Sequence, residues 1–327
     1  MFYIENGMGK KFRPLAIFFA FACILVAFFG IGTFPQVNAI VDSMEISFGL
    51  PKYATDIGIT LLIAAITIGG LQSISRVASK IVPFMAVFYI IICAILIISH
   101  ASAIPDALNL IITSAFTGEA AVGGFAGSTI MIAMQNGIAR GVFSNESGLG
   151  SAPIAAAAAK TKWPAEQGLV SMTGTFIDTI IICSMTGLSL VLTGVWSGDY
   201  AGASMTSAAF AGDYGLLGSQ FLTIALALFA FTTILGWNYY GERACIYLFG
   251  TKGVMPYRLI FIALVASGAF LKLEAIWVLA DIVNGLMAIP NLIALIALSG
   301  VIVKETNLYL AHRHEEDEED NMEHELN

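Results

Sequence analysis

Long apolar runs separated by short polar stretches leave this chain few folds, because most of its length has no polar face to turn toward water. Eight such runs are read at 15–32, 57–71, 81–99, about 119–139, 169–193, 215–236, 257–271 and 275–303. A helix needs about 20 residues at 1.5 Å rise to cross roughly 30 Å of hydrocarbon, so these lengths suit membrane spans. The second and seventh runs are short and must borrow flanking polar residues. The last is too long for one straight crossing, and Pro290 inside it predicts a kink or break. A membrane strand would alternate apolar and polar residues over about ten positions. No stretch of the sequence does so.

If the runs cross alternately, all of the 15 Lys and Arg except Lys52 and Lys272 fall on one face. That excess marks the cytoplasmic side of a polytopic helical protein. Eight crossings then put both termini in the cytoplasm. Composition agrees: 57% of the residues are hydrophobic and 12% charged, where a soluble domain carries about a quarter charged. The net charge of −8 comes from Glu315, Glu316, Asp317, Glu318, Glu319, Asp320, Glu323 and Glu325. These sit in a tail, 306–327, that reads as solvated and unordered. The chain thus divides into a cytoplasmic segment 1–14, a transmembrane domain 15–305 of about eight helices and the acidic tail. The first fourteen residues are too polar for the core of a signal peptide.

Few residues suggest bond-making chemistry. Cys23, Cys93, Cys183 and Cys245 lie in apolar segments without metal-binding spacing, so they read as packing residues. His312, His314 and His324 in the tail are not read as a metal site. The glycine-rich stretch Ser147-Gly148-Leu149-Gly150-Ser151 lacks the Gly-Lys-Ser/Thr of a phosphate loop, and neither GxSxG nor HExxH occurs. The sequence therefore points away from an enzyme, and it implies no organic cofactor and no nucleic-acid partner. The loop from Phe143 to Pro153 is read as a structured gate on the cytoplasmic side.

The fourth run departs most from an ordinary span. Residues 113–129 place Gly118, Gly123, Gly124 and Gly127 among several hydroxyls. Each Gly costs about 1 kcal/mol against Ala inside a helix. Broken backbone at membrane depth is tolerated only where it is buried in protein or lines a watery cavity. Two readings stand: a broken, ligand-binding helix, or close helix packing through the Gly123–Gly127 pair. A break would expose free N–H groups for a carboxylate and free carbonyls for a sodium ion, a site for a zwitterionic amino acid without buried charged side chains. Thr232 and Thr233 form a second candidate, with Trp237 one turn beyond Thr233 on the same face. Their hydroxyls suit sodium and the indole suits a small side chain, unless the threonines only bond back to their own helix and Trp237 is an interfacial anchor. Asp178, and Asp281 with Asn284, belong to an ion path or hydrogen-bond neighbouring helices. An ion path through these carboxylates would allow proton coupling.

These stretches resemble the alanine or glycine:cation symporter family, also called sodium:alanine symporters. The resemblance rests on Tyr3-Ile4-Glu5-Asn6-Gly7, Gly123-Gly124-Phe125-Ala126-Gly127, Arg140-Gly141-Val142-Phe143-Ser144-Asn145-Glu146, Gly148-Leu149-Gly150-Ser151-Ala152-Pro153, Phe231-Thr232-Thr233-Ile234-Leu235-Gly236-Trp237, and the run from Asp281 to Asn291. It implies an all-α, leucine-transporter-type inverted-repeat fold in the cell membrane, with a site at the bilayer midplane between two five-helix halves. By position, the eight runs would be helices three to ten, leaving the family's first two helices absent. The resemblance further implies that Gly123, Gly124, Phe125, Ala126 and Gly127 hold a small neutral amino acid, alanine or glycine. It makes Trp237 the residue that closes the pocket, and Thr232 and Thr233 ligands of a sodium ion serving as coupling ion.

Overall fold

A computed structural model describes residues 1–117, 126–200, 202–271 and 273–325. Its helices in chain order are α1 (Phe2–Met8), α2 (Arg13–Phe29), α3 (Phe34–Phe48), α4 (Lys52–Ile68), α5 (Gly70–Ser99), α6 (Ile104–Thr117), α7 (Ala126–Asn145), α8 (Ala152–Ala156), α9 (Pro164–Thr175), α10 (Ser184–Thr193), α11 (Ala203–Phe249), α12 (Val254–Val265), α13 (Leu273–Ala297) and α14 (Ser299–Glu325). A π-helical stretch, Phe176–Cys183, joins α9 to α10 into one rod. Among the described residues there is no strand, so the protein is all-helical and polytopic.

Six helical stretches among the described residues are long and apolar enough to cross a membrane, where the sequence suggests eight. The run at 57–71 lies on α4, which has 17 residues, about 26 Å at 1.5 Å per residue. The run at 119–139 overlaps residues 118–125, outside the described residues. The first stretch, Lys10–Phe48, extends well beyond the run at 15–32 because α3 follows α2 after a break at Gly30–Thr33. Polar residues hide α3 from a hydropathy reading, yet its Asn38, Ser43 and Ser47 are buried against the bundle.

Two breaks differ in their outcome. The run read from 215 begins where α11 is interrupted, at Gly215, whose φ of 60° interrupts the helical geometry. At Pro290, where a kink or break was expected, the helix is not interrupted. Helix α13 continues through Pro290, and the chain turns at Leu298 before α14. A proline removes one donor and crowds one carbonyl, and neighbouring packing absorbs this inside a bundle. The acidic run, read as unordered, lies on α14, which continues to Glu325.

Helix α11 is the spine. Its Ile234 and Trp237 join Phe19, Cys23 and Val26 of α2 and Val283, Met287 and Ala294 of α13 in the main core. Its Phe210, Leu222 and Ala225 form a second core with Tyr89, Cys93 and Leu96 of α5. Large apolar side chains such as Leu61, Ile98 and Ile296 point outward, as a hydrocarbon solvent permits.

Candidate functional site

Trp237 sits at a junction of four elements. Its side chain is 1% exposed, its ring meets Tyr240 edge-on at 5.3 Å, and a Cβ on Gly32 would come within 2.7 Å of its own Cβ. The indole Nε1 donates to Glu146 Oε1 at 2.8 Å, and Ser151 Oγ donates to Glu146 Oε2 at 2.5 Å. Glu146 holds φ at 56°, in the left-handed region, which costs a non-glycine residue about 1–2 kcal/mol. Burial pushes its carboxyl above the usual carboxylate range, while the two donated hydrogen bonds oppose that shift. The loop after Glu146 is anchored as well. Asn291 Nδ2 of α13 donates to the Gly148 carbonyl at 2.8 Å, and the Tyr3 hydroxyl donates to Asn291 Oδ1. Gly150, at φ +87°, lies so close to Asn291 and Phe19 that an added Cβ would fall 2.8 Å from each.

Thr232 and Thr233 both bond back to their own helix. Thr232 Oγ1 donates to the carbonyls of Leu228 and Phe229 at 3.0 and 2.9 Å, and Thr233 Oγ1 to that of Phe229 at 2.9 Å. Each bond uses the hydroxyl hydrogen and leaves oxygen lone pairs as acceptors. Gly123, Gly124 and Phe125 lie outside the described residues. Ala126 and Gly127 are the first residues of α7.

The two intramembrane carboxylates singled out in the sequence are both engaged. Ser144 Oγ of α7 donates to Asp178 Oδ2 at 2.7 Å, and Asn145 Nδ2 donates to Thr179 Oγ1 at 3.1 Å, fastening α7 to the π-helical stretch. Asp281 takes Arg140 Nη2 at 2.5 Å on both oxygens. The Arg140 guanidinium also lies 4.4 Å from the Trp277 ring centre and 5.5 Å from that of Phe143. Asp281 and Asn284 border a cavity of about 280 Å3 between α7 and α13.

Sequence reasoning missed two acidic residues. Glu146 was visible only as part of a loop motif, and its partner on α11 is 91 positions away. Asp56 lies one residue before the apolar run at 57–71, so it reads as an edge, yet it is buried on α4.

The sequence model of the sodium:alanine symporter family matches residues 1–324. This chain belongs to the sodium:alanine symporter family. The family is one of transporters, not enzymes, and its activity is cation-coupled amino-acid symport. The chain is 57% identical over 311 residues to an uncharacterized transporter of Haemophilus influenzae, covering 94% of this chain and 68% of that protein. It is 45% identical over 309 residues to the sodium/alanine symporter AgcS of Methanococcus maripaludis, covering 93% of this chain and 66% of that protein. The probable sodium/glutamine symporter GlnT of Bacillus subtilis is 34% identical over 304 residues, 92% of this chain and 62% of that protein. The family match starts at residue 1, so it gives no support to the expectation that the first two family helices are absent. The chain spans about two thirds of the length of these relatives.

Proposed function

We propose that this protein carries a small neutral amino acid, alanine or glycine, into the cell together with sodium. The observation that carries the reading is the family match over residues 1–324, joined by 45% identity to a protein named as a sodium/alanine symporter. The protein sits in the cell membrane as a multi-pass chain with both ends cytoplasmic, and its helices follow the leucine-transporter-type inverted repeat. Backbone groups of Gly123, Gly124, Phe125, Ala126 and Gly127 hold the amino acid, and Trp237, fixed by Glu146, bounds the pocket. Thr232 and Thr233 offer sodium the lone pairs that their own hydrogen bonds leave free. Coupling arises if both ligands favour the same closed state, since a ligand shifts an equilibrium only by its differential affinity. Proton coupling through Asp178 or Asp281 is the weaker alternative, because Ser144 and Arg140 already occupy those carboxylates.

The test is uptake of radiolabelled alanine into proteoliposomes containing the protein. An inward sodium gradient should drive accumulation, and an equal potassium gradient should not. Thr233→Val should raise the sodium concentration for half-maximal uptake by roughly tenfold, the equivalent of about 1.4 kcal/mol for one lost oxygen ligand. Uptake that proceeds equally without sodium overturns the reading.

A further inference from the structure

Helix α4 carries a buried acid that the symport reading does not use. Asp56 is 4% exposed, its Oδ1 has no hydrogen-bond partner, and no basic side chain among the described residues pairs with it. Thr60 lies one turn further along the same face, and its Oγ1 is also buried without a partner. Both residues line one cavity of about 270 Å3, whose other walls include Tyr53, Phe270, Ile57 and Leu61. A carboxylate in such a place is neutralised either by a proton or by a bound cation. The cavity beside it gives a cation room to bind.

The walls narrow the class of cation. Sodium is a hard ion that takes several oxygen ligands, and the side chains lining this cavity supply one carboxylate and the hydroxyls of Thr60 and Tyr53 among apolar surfaces. An organic ammonium needs one anionic contact and a hydrogen-bond acceptor, and aromatic faces attract it through the ring quadrupole. Leu61 and Phe270, at 65% and 72% exposed, carry the cavity out to the apolar surface of the bundle. We infer that the Asp56–Thr60 cavity binds a small organic ammonium group, either as a free amine or as the headgroup of a phospholipid. The Asp56 carboxylate forms the ion pair, Thr60 Oγ1 accepts an N–H, and Tyr53 and Phe270 flank the cation. The inference does not depend on which amino acid or ion the protein transports.

The test is equilibrium binding of radiolabelled ethanolamine to the purified full chain in nanodiscs of phosphatidylglycerol, which bears no ammonium. Wild type should bind one ethanolamine per chain, and Asp56→Asn should weaken binding at least tenfold. Leu61→Trp, which fills the cavity from an exposed position and leaves the carboxylate in place, should weaken it similarly, so a folding defect in Asp56→Asn does not leave the matter open. In nanodiscs of phosphatidylethanolamine, blocked binding identifies the lipid headgroup as occupant, and unchanged binding identifies a free amine. Three results overturn the inference: no ethanolamine bound by wild type, equal binding by wild type and both variants, or displacement by sodium chloride at the ethanolamine concentration, which would mark an alkali-cation site.

Discussion

The indole nitrogen of Trp237 is the one polar atom of a side chain otherwise enclosed by Tyr240, the Gly32 backbone and the α2 core, so its bond to Glu146 decides whether that burial is neutral or costly. Trp237→Phe keeps most of the apolar contact and leaves Glu146 Oε1 short of a donor, a loss of about 1–3 kcal/mol. Trp237→Ala also opens a cavity and should cost about 3–5 kcal/mol. Thermal unfolding in detergent checks both, and a Phe variant as stable as wild type would show that the hydrogen bond contributes nothing. Glu146 makes a separate prediction through pH. Its folded carboxyl is raised above the unfolded value of about 4.3 by burial. Its contribution to stability is therefore fully present below about pH 4.3 and is lost as pH climbs through the folded value. Glu146→Gln removes the titration, so its melting temperature should fall less than that of wild type between pH 5 and 8. Parallel curves for the two proteins would exclude Glu146 as the titrating group. Half of this site was legible in the sequence. The spacing of Thr233 and Trp237 puts them on one helix face, because that relation is local. Glu146, Ser151 and Asn291 reach Trp237 or its loop only through tertiary folding, and no period in the sequence encodes such a meeting.

Between elements, the join of α3 to α11 rests on hydroxyls rather than on apolar contact alone. Ser47 Oγ lies 2.5 Å from Ser219 Oγ and 2.7 Å from Thr223 Oγ1, all buried, and Gln220 Nε2 donates to the Ser47 carbonyl at 3.3 Å. In a membrane such contacts are worth about 0.6 kcal/mol on average and up to about 1.7. Ser47→Ala and Thr223→Val should each destabilise modestly, and a double-mutant cycle between them should show coupling in that range. Strict additivity would mean that the hydroxyls are satisfied elsewhere and do not join the helices. This element was the hardest to find from sequence. Hydropathy scores Asn38, Ser43 and Ser47 as loop residues, but all three are buried on α3. The interruption at Gly215 was not expected from the sequence either, although a glycine is where backbone geometry can change at least cost. At Pro290 the local cost is real, and the helix nevertheless continues through it inside the bundle.

Across the whole molecule, two polar fastenings on α11 stand about one hydrocarbon thickness apart. The Ser219 cluster marks one end. At the other, Glu242 pairs with Arg258 of α12 at 2.8 Å, and Arg258 Nη1 donates to the Ile68 carbonyl at the end of α4. From residue 219 to residue 242 is about 35 Å at 1.5 Å per residue, a little more than the roughly 30 Å of a hydrocarbon core. The Ser219 end also holds Lys52, pinned by Asp42 and Glu45 at 2.7 and 3.4 Å. The Glu242 end holds Arg258 and, just before α12, Lys252. Lys52 and Lys252 therefore lie at opposite ends of this stretch of α11, and among the described residues six helical stretches are long and apolar enough to cross. If Lys-rich loops face the cytoplasm, residue 252 is inside and residue 52 outside. In a background with the exposed Cys183 replaced by Ala, Lys52→Cys should react with a membrane-impermeant maleimide on intact cells. Lys252→Cys should react only after permeabilisation. The reverse pattern would invert the protein, and labelling of both from outside would require an even number of crossings between them, which a single passage of α11 from the Ser219 end to the Glu242 end forbids unless another helix fails to cross.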